Sequence, residues 1–104
     1  DKFIQSNAAE VEKLQYSLAA GSADGYASCC EALSKADLRE QLKDITVPVL
    51  IVAGQQDPVT TVTDGQFMLE RIPGSQMFEI NASHISNIEC PNEFNQAVEE
   101  FIAV

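Results

Sequence analysis

PVLIVAGQQD, residues 48–57, begins as an apolar run and ends in an aspartate. The aliphatic and β-branched residues from Val49 to Ala53 predict a strand that is buried on both faces, which is typical of a parallel sheet. Asp57-Pro58 begins a loop directly after that strand. Ligands and catalytic groups collect at the carboxyl ends of parallel strands, so the position of Asp57 makes it a candidate functional residue.

The sequence after residue 57 predicts a helix, a second strand and a last helix. Thr63 or Asp64 can cap the first of these helices, which runs up to Pro73-Gly74. Residues 75–80 mix polar and apolar residues in a more alternating pattern than the first strand, and they predict the second strand. Pro91 suits the first turn of the last helix. The order strand–helix–strand–helix therefore predicts an α/β fold with two parallel strands.

The sequence before residue 45 predicts helices throughout. Ile4, Val11, Leu14 and Leu18 recur at helical spacing, and Gly21 offers a stop. Ser22 can cap a second helix, and a third short helix begins near residue 37. We therefore divide the chain into a helical segment, residues 1–44, and an α/β unit, residues 45–104.

The predicted sheet is incomplete. Two parallel strands do not make a stable sheet by themselves, and the strand at 49–53 has the composition of an interior strand. We expect other chain segments, or further copies of this chain, to complete the sheet.

Asp57 and His84 have the spacing and surroundings of an acid and a base in a hydrolase. His84 is the only histidine, lies 27 residues after Asp57 (84 − 57), and follows the second predicted strand. An acid that orients a histidine needs a serine or cysteine to attack the substrate. The usual serine motif, Gly-x-Ser-x-Gly, is absent from the 104 residues. We therefore expect two thirds of a catalytic triad here, with the nucleophile supplied from elsewhere.

Each candidate residue also has an ordinary structural interpretation. Asp57 could be a turn aspartate before a proline, and His84 a loop histidine. Glu89 is expected to be solvated or to brace the histidine loop. Cys90 is a poor nucleophile candidate because its acidic neighbours raise a thiol pKa. Cys29 and Cys30 are expected to pack on a helix.

Composition restricts the functional classes. Sixteen acidic and six basic residues give a net charge of −10, which argues against nucleic acid or an anionic membrane as a partner. Three cysteines without a Cys-x-x-Cys pattern indicate neither a zinc site nor a thioredoxin-type site, and they suit the reducing cytoplasm. No cluster of ligands predicts a metal ion or an organic cofactor.

Two blocks of sequence resemble the α/β-hydrolase superfamily. Residues 45–60, Ile-Thr-Val-Pro-Val-Leu-Ile-Val-Ala-Gly-Gln-Gln-Asp-Pro-Val-Thr, resemble its acid-bearing strand and loop, and residues 82–95 resemble its histidine loop and last helix. The sequences of residues 86–89, Ser-Asn-Ile-Glu, and of residues 24–33 are most similar to those of the 3-oxoadipate enol-lactonases of this superfamily. The resemblance covers the C-terminal portion of the fold, with residues 1–44 as the end of the helical cap and the connection to the core.

The resemblance implies a serine-type hydrolase that cleaves a lactone or ester, with 3-oxoadipate enol-lactone of aromatic catabolism as the best candidate. It implies Asp57 as the triad acid, His84 as the base, no cofactor, and a serine in an N-terminal portion of the enzyme. The 104 residues alone are then expected to be inactive. Two alternatives remain open: another α/β-hydrolase, such as an esterase, haloperoxidase-like enzyme or C–C bond hydrolase, and a non-catalytic module that forms homo-oligomers.

Overall fold

The computed structural model describes the backbone of residues 2–103 and the side chains of residues 4–103. In chain order the elements are α1 (Lys2–Ser6), α2 (Ala8–Ala19), α3 (Ala23–Lys35), a 3-10 helix (Arg39–Asp44), β1 (Leu50–Gly54), α4 (Val62–Leu69), β2 (Gln76–Ile80), α5 (Ser86–Glu89) and α6 (Pro91–Ile102). They form two compact units, a helical unit (residues 1–38) and an α/β unit (residues 39–104). The short 3-10 helix thus groups with the α/β unit, whereas we placed it in the helical segment.

The helical unit contains α1, α2 and α3. The first predicted helix is interrupted at Asn7, which separates α1 from α2. Ser22 caps α3 as predicted, because its side chain accepts a hydrogen bond from the backbone N–H of Gly25 at 3.1 Å. Neither α2 nor α3 contains a buried residue.

The α/β unit is built around the parallel pair β1 and β2, whose register places Val52 opposite Phe78. Helices α4 and α6 both pack against the two strands. In α4 the buried Gly65 allows a close approach, since a Cβ there would lie 3.3 Å from the Cβ of Ala53. Among the side chains of residues 4–103, the buried apolar ones belong to this unit: Ile51, Ala53, Ile72, Ile80, Ala82 and Ala97. The predicted α/β class and the parallel strands are confirmed.

The N-cap of helix α4 lies two residues before Thr63 and three before Asp64, the two predicted caps. Thr61 is the N-cap, and its side chain accepts from the N–H of Asp64 while the Asp64 carboxylate accepts from the N–H of Thr61. This reciprocal capping box follows the Thr-x-x-Asp pattern, which we overlooked in choosing Thr63 or Asp64. The helix also stops at Leu69, before the turn in which Gly74 adopts φ 72°.

Candidate active site

Asp57 is held by its own loop at the carboxyl end of β1. Its N–H donates to the carbonyl of Gly54 at 3.1 Å, which closes a turn directly after the strand. Its carboxylate oxygen Oδ1 accepts from the N–H of Val59 at 2.8 Å and from the N–H of Thr60 at 3.1 Å. Aspartate commonly bonds the backbone two and three residues ahead in this way, so the local sequence is sufficient to orient the side chain.

His84 lies in the loop between β2 and α5, and a carboxylate from α5 braces that loop. Glu89 accepts a hydrogen bond from the N–H of Ser83 at 2.7 Å through Oε2. This hydrogen bond agrees with the interpretation that Glu89 braces the histidine loop. The next residue along the chain, Cys90, has a pKa raised by burial and by the charges of Glu93 and Glu89, as the acidic neighbours predicted.

The two loops approach closely because β1 ends in a glycine. A Cβ on Gly54 would lie 2.5 Å from the carbonyl oxygen of Ser83 and 2.6 Å from that of Ala82. Real Cβ atoms do not come so near to backbone oxygens, so only glycine permits this contact. Sequence reasoning missed Gly54, although an isolated glycine at the end of a strand can signal a close backbone approach.

Further hydrogen bonds join the same two loops. The N–H groups of Gln55 and Gln56 donate to the carbonyls of Ile80 and Ala82 at 2.9 and 3.0 Å. The side-chain amide of Gln56 also donates to Oδ1 of Asn81 at 2.7 Å. Backbone hydrogen bonds thus continue beyond the ends of the two strands and hold the two loops next to each other.

The structure brings together the two predicted site residues. His84 Nδ1 lies 2.7 Å from Oδ2 of Asp57, in a contact that joins residues 27 apart in the sequence. The Asp57 side chain is 4% exposed, whereas that of His84 is 63% exposed. The carboxylate of the Asp57–His84 pair is therefore enclosed, whereas much of the imidazole is exposed at the surface of the described chain.

Thr60 is a third member of this cluster that sequence reasoning did not identify. Its hydroxyl lies 2.6 Å from Oδ2 of Asp57 and 3.1 Å from Nδ1 of His84. The only signal in the sequence is that Thr60 stands three residues after an aspartate, where side chains and backbone often bond back to the carboxylate.

Hydrogen bonding keeps Asp57 ionised. The hydroxyl of Thr60 and the imidazole of His84, followed by the N–H of Val59, hold the pKa of the Asp57 carboxyl far below its usual range. Burial opposes this shift but is outweighed. An ionised carboxylate can only accept, so the short contact to His84 requires a hydrogen on Nδ1. In the neutral imidazole, Nε2 is then the free base.

The arrangement suits proton transfer and offers no metal site. Among residues 2–103, no three histidine, cysteine, aspartate or glutamate side chains converge in a way that could hold a metal ion. A histidine with an ordered Nδ1 and an accessible Nε2 can take a proton from a hydroxyl and return it.

Known proteins share both the sequence and the fold of this chain, although no family model matches it. The chain is 60% identical over 97 residues to 3-oxoadipate enol-lactonase 2 of Acinetobacter baylyi, an alignment that covers 93% of this chain and 36% of that protein. It is 50% identical over 102 residues to 3-oxoadipate enol-lactonase 1 of the same organism, covering 98% of this chain and 38% of that protein. It spans little more than a third of these curated relatives.

A solved structure supports the same relationship. The enol-lactonase from Burkholderia xenovorans LB400 superposes with a TM-score of 0.96 at 32% identity, covering 99% of this chain and 40% of that one. The chain matches the C-terminal portion of the α/β-hydrolases. The predicted family resemblance and fold are therefore confirmed, and the named relatives are lactone hydrolases.

No helix within residues 2–103 is long and apolar enough to cross a membrane.

Proposed function

We propose that the full-length protein is a serine-type hydrolase of lactones or esters, with Asp57 as the acid and His84 as the base. The observation that carries this proposal is the 2.7 Å contact between His84 Nδ1 and the ionised carboxylate of Asp57. An ordered, partly exposed imidazole at the carboxyl end of a parallel sheet is what acyl-transfer chemistry needs. The names of the relatives support 3-oxoadipate enol-lactone as the substrate.

The reaction would use this chain for proton transfer only. A serine hydroxyl from the N-terminal portion attacks the lactone carbonyl while Nε2 of His84 removes the hydroxyl proton. The ring C–O bond then breaks, and His84 returns the proton to the departing enol oxygen. In the second half, His84 takes a proton from water, the hydroxide cleaves the acyl-serine ester, and the serine regains a proton. Asp57 stabilises the imidazolium that forms in each half.

Three further features belong to this proposal. The serine-bearing N-terminal portion is the necessary partner, so the 104 residues alone carry out no turnover. The protein acts in the cytoplasm, which its unpaired cysteines and acidic composition support. The reaction sequence that supplies the enol-lactone would be aromatic ring degradation.

The test uses the full-length protein with 3-oxoadipate enol-lactone and, separately, a simple aryl ester. We expect His84→Ala to lower kcat for either substrate by roughly 10²–10⁴-fold, the usual contribution of a general base. Glu100→Gln, on the exposed surface of α6, is the matched control and keeps the parent rate. An unchanged rate in His84→Ala would refute the catalytic assignment. Turnover of the aryl ester but not the lactone would refute only the substrate.

A second candidate, self-association without catalysis, rests on the sheet. Within residues 2–103 the sheet consists of β1 and β2 alone, so each strand presents an unpaired edge. We propose that the 104-residue chain by itself forms homo-oligomers through these edges. Its mass in solution tests this: a monomer at all concentrations contradicts self-association, and dimers or larger species support it.

A further inference from the structure

Thr60 forms hydrogen bonds with both oxygens of the Asp57 carboxylate. Its backbone N–H donates to Oδ1 at 3.1 Å, and its hydroxyl lies 2.6 Å from Oδ2. Together with the N–H of Val59 and with His84, it completes four hydrogen bonds to the carboxylate. A carboxylate has about four acceptor positions, so this set fixes its rotation.

The hydroxyl of Thr60 also constrains the imidazole. A hydroxyl has one hydrogen, and the short contact to the ionised Oδ2 uses it. Toward His84 Nδ1, 3.1 Å away, the Thr60 oxygen can then only accept. Both oxygen atoms near Nδ1 therefore require a hydrogen on that nitrogen, so in the neutral imidazole Nε2 carries none.

We propose that Thr60 is a positioning residue, whose hydroxyl fixes the orientation of Asp57 and the Nδ1–H tautomer of His84. Thr60 does not touch the substrate in this proposal and acts only through the two neighbouring side chains. The inference rests on the proposed function for its effect on turnover, but its effect on the tautomer can be measured without turnover.

The adjacent residue provides a matched control. Thr61 has the same side chain, but its hydroxyl donates to Oδ2 of Asp64 at 2.8 Å and caps α4. Removing the hydroxyl of Thr61 therefore perturbs the same loop without removing a contact to Asp57 or His84.

The experiment compares Thr60→Val, Thr60→Ser and Thr61→Val in the full-length protein. Valine keeps the shape of threonine and the backbone N–H bond to Oδ1 while removing the hydroxyl. The first measurement is ¹⁵N NMR of histidine-labelled protein, with the His84 signals assigned from their absence in His84→Ala. The second is steady-state hydrolysis of the enol-lactone.

We expect the Nε2–H tautomer of His84 to become detectable in Thr60→Val and to stay undetectable in Thr60→Ser and Thr61→Val. We expect kcat to fall about tenfold in Thr60→Val with KM unchanged, as for the loss of one charge-assisted hydrogen bond, and to recover in Thr60→Ser. Parent-like ¹⁵N shifts and kcat in Thr60→Val would overturn the inference. The same losses in Thr61→Val would also overturn it, because they would indicate general disturbance of the loop.

The two proposals fail in different ways. If the parent protein does not hydrolyse lactone or ester, the proposed function fails, and the ¹⁵N shifts still decide the role of Thr60. If His84→Ala abolishes turnover but Thr60→Val changes neither tautomer nor kcat, only the role of Thr60 fails.

Discussion

The helical unit and the α/β unit differ in how their side chains are buried. Among the described residues, all the buried apolar side chains lie in the α/β unit, whereas α2 and α3 bury none. In the helical unit Leu18 and Leu33 are 74% and 75% exposed. The helices there are specified by local features, such as the Ser22 cap and the exposed ion pair between Lys35 and Glu31.

Local features of this kind contribute little to stability. An exposed ion pair on one helix is worth about 0.3–0.5 kcal/mol, and isolated helices shorter than about 12–15 residues are marginal in water. We therefore expect the stability of the α/β unit to come mainly from the packing of its strands and helices. The helical unit has well-formed helices, but α2 and α3 bury no side chain that could form a core. Pairs of matched substitutions, one in each unit, test this contrast.

The largest contrast is expected in turnover, between two aspartates. Asp57→Asn in the full-length protein should lower kcat by about 10⁴-fold, because an amide at this position favours the wrong tautomer of His84. Asp24→Asn, in the first turn of α3, should leave kcat at the parent value. Kinetics with the enol-lactone check both, and a comparable loss in Asp24→Asn would place the chemistry in both units.

Stability of the 104-residue chain should show the next contrast. Ile80 is 1% exposed, so Ile80→Ala should lower the free energy of unfolding by about 2–5 kcal/mol through the cavity that it creates. Leu33→Ala should change it by less than about 0.5 kcal/mol, as at other exposed sites. Denaturant titration measures both values. An equal cost at Leu33 would mean that the helical unit is covered in solution, as self-association would cause.

The smallest contrast is between two glycines, and it should change sign. Gly54→Ala should destabilise the chain by about 1–3 kcal/mol, since its Cβ would meet two backbone oxygens. Gly25→Ala should stabilise it by about 0.5–1 kcal/mol, because a Cβ in α3 meets only the side chain of Ser22 at 3.4 Å. Thermal unfolding of both variants, compared with the parent chain, measures the sign of each change in stability. Stabilisation by Gly54→Ala would mean that the two loops separate easily.

The fold could be predicted where the pattern is local and strong. The apolar run of β1 and the proline at the start of α6 placed both elements to within a residue. The break at Asn7 and the turn α5 were missed because short helices have weak periodicity. The cap at Thr61 was missed although its capping box is visible in the sequence.

The candidate site could be predicted only in part. Asp57 and His84 were found because each follows a strand of a parallel pair. Thr60 and Gly54 contact the neighbouring loop, which is distant in the sequence. Such contacts depend on the folded arrangement and cannot be predicted from the spacing of residues along the chain. The sequence therefore identified the residues with chemical character and not those that position them.

Two contacts that tether the His84 loop have a consequence for the entropy of the proposed reaction. Glu89 accepts a hydrogen bond from the N–H of Ser83, and Gly54 at the end of β1 closely approaches the carbonyl oxygens of Ala82 and Ser83. Although the His84 side chain is exposed, its backbone has already lost its conformational freedom when the unit folds. If His84 is the base, as proposed, a substrate that reaches the imidazole does not have to order this loop, so more of its binding energy remains to lower the barrier.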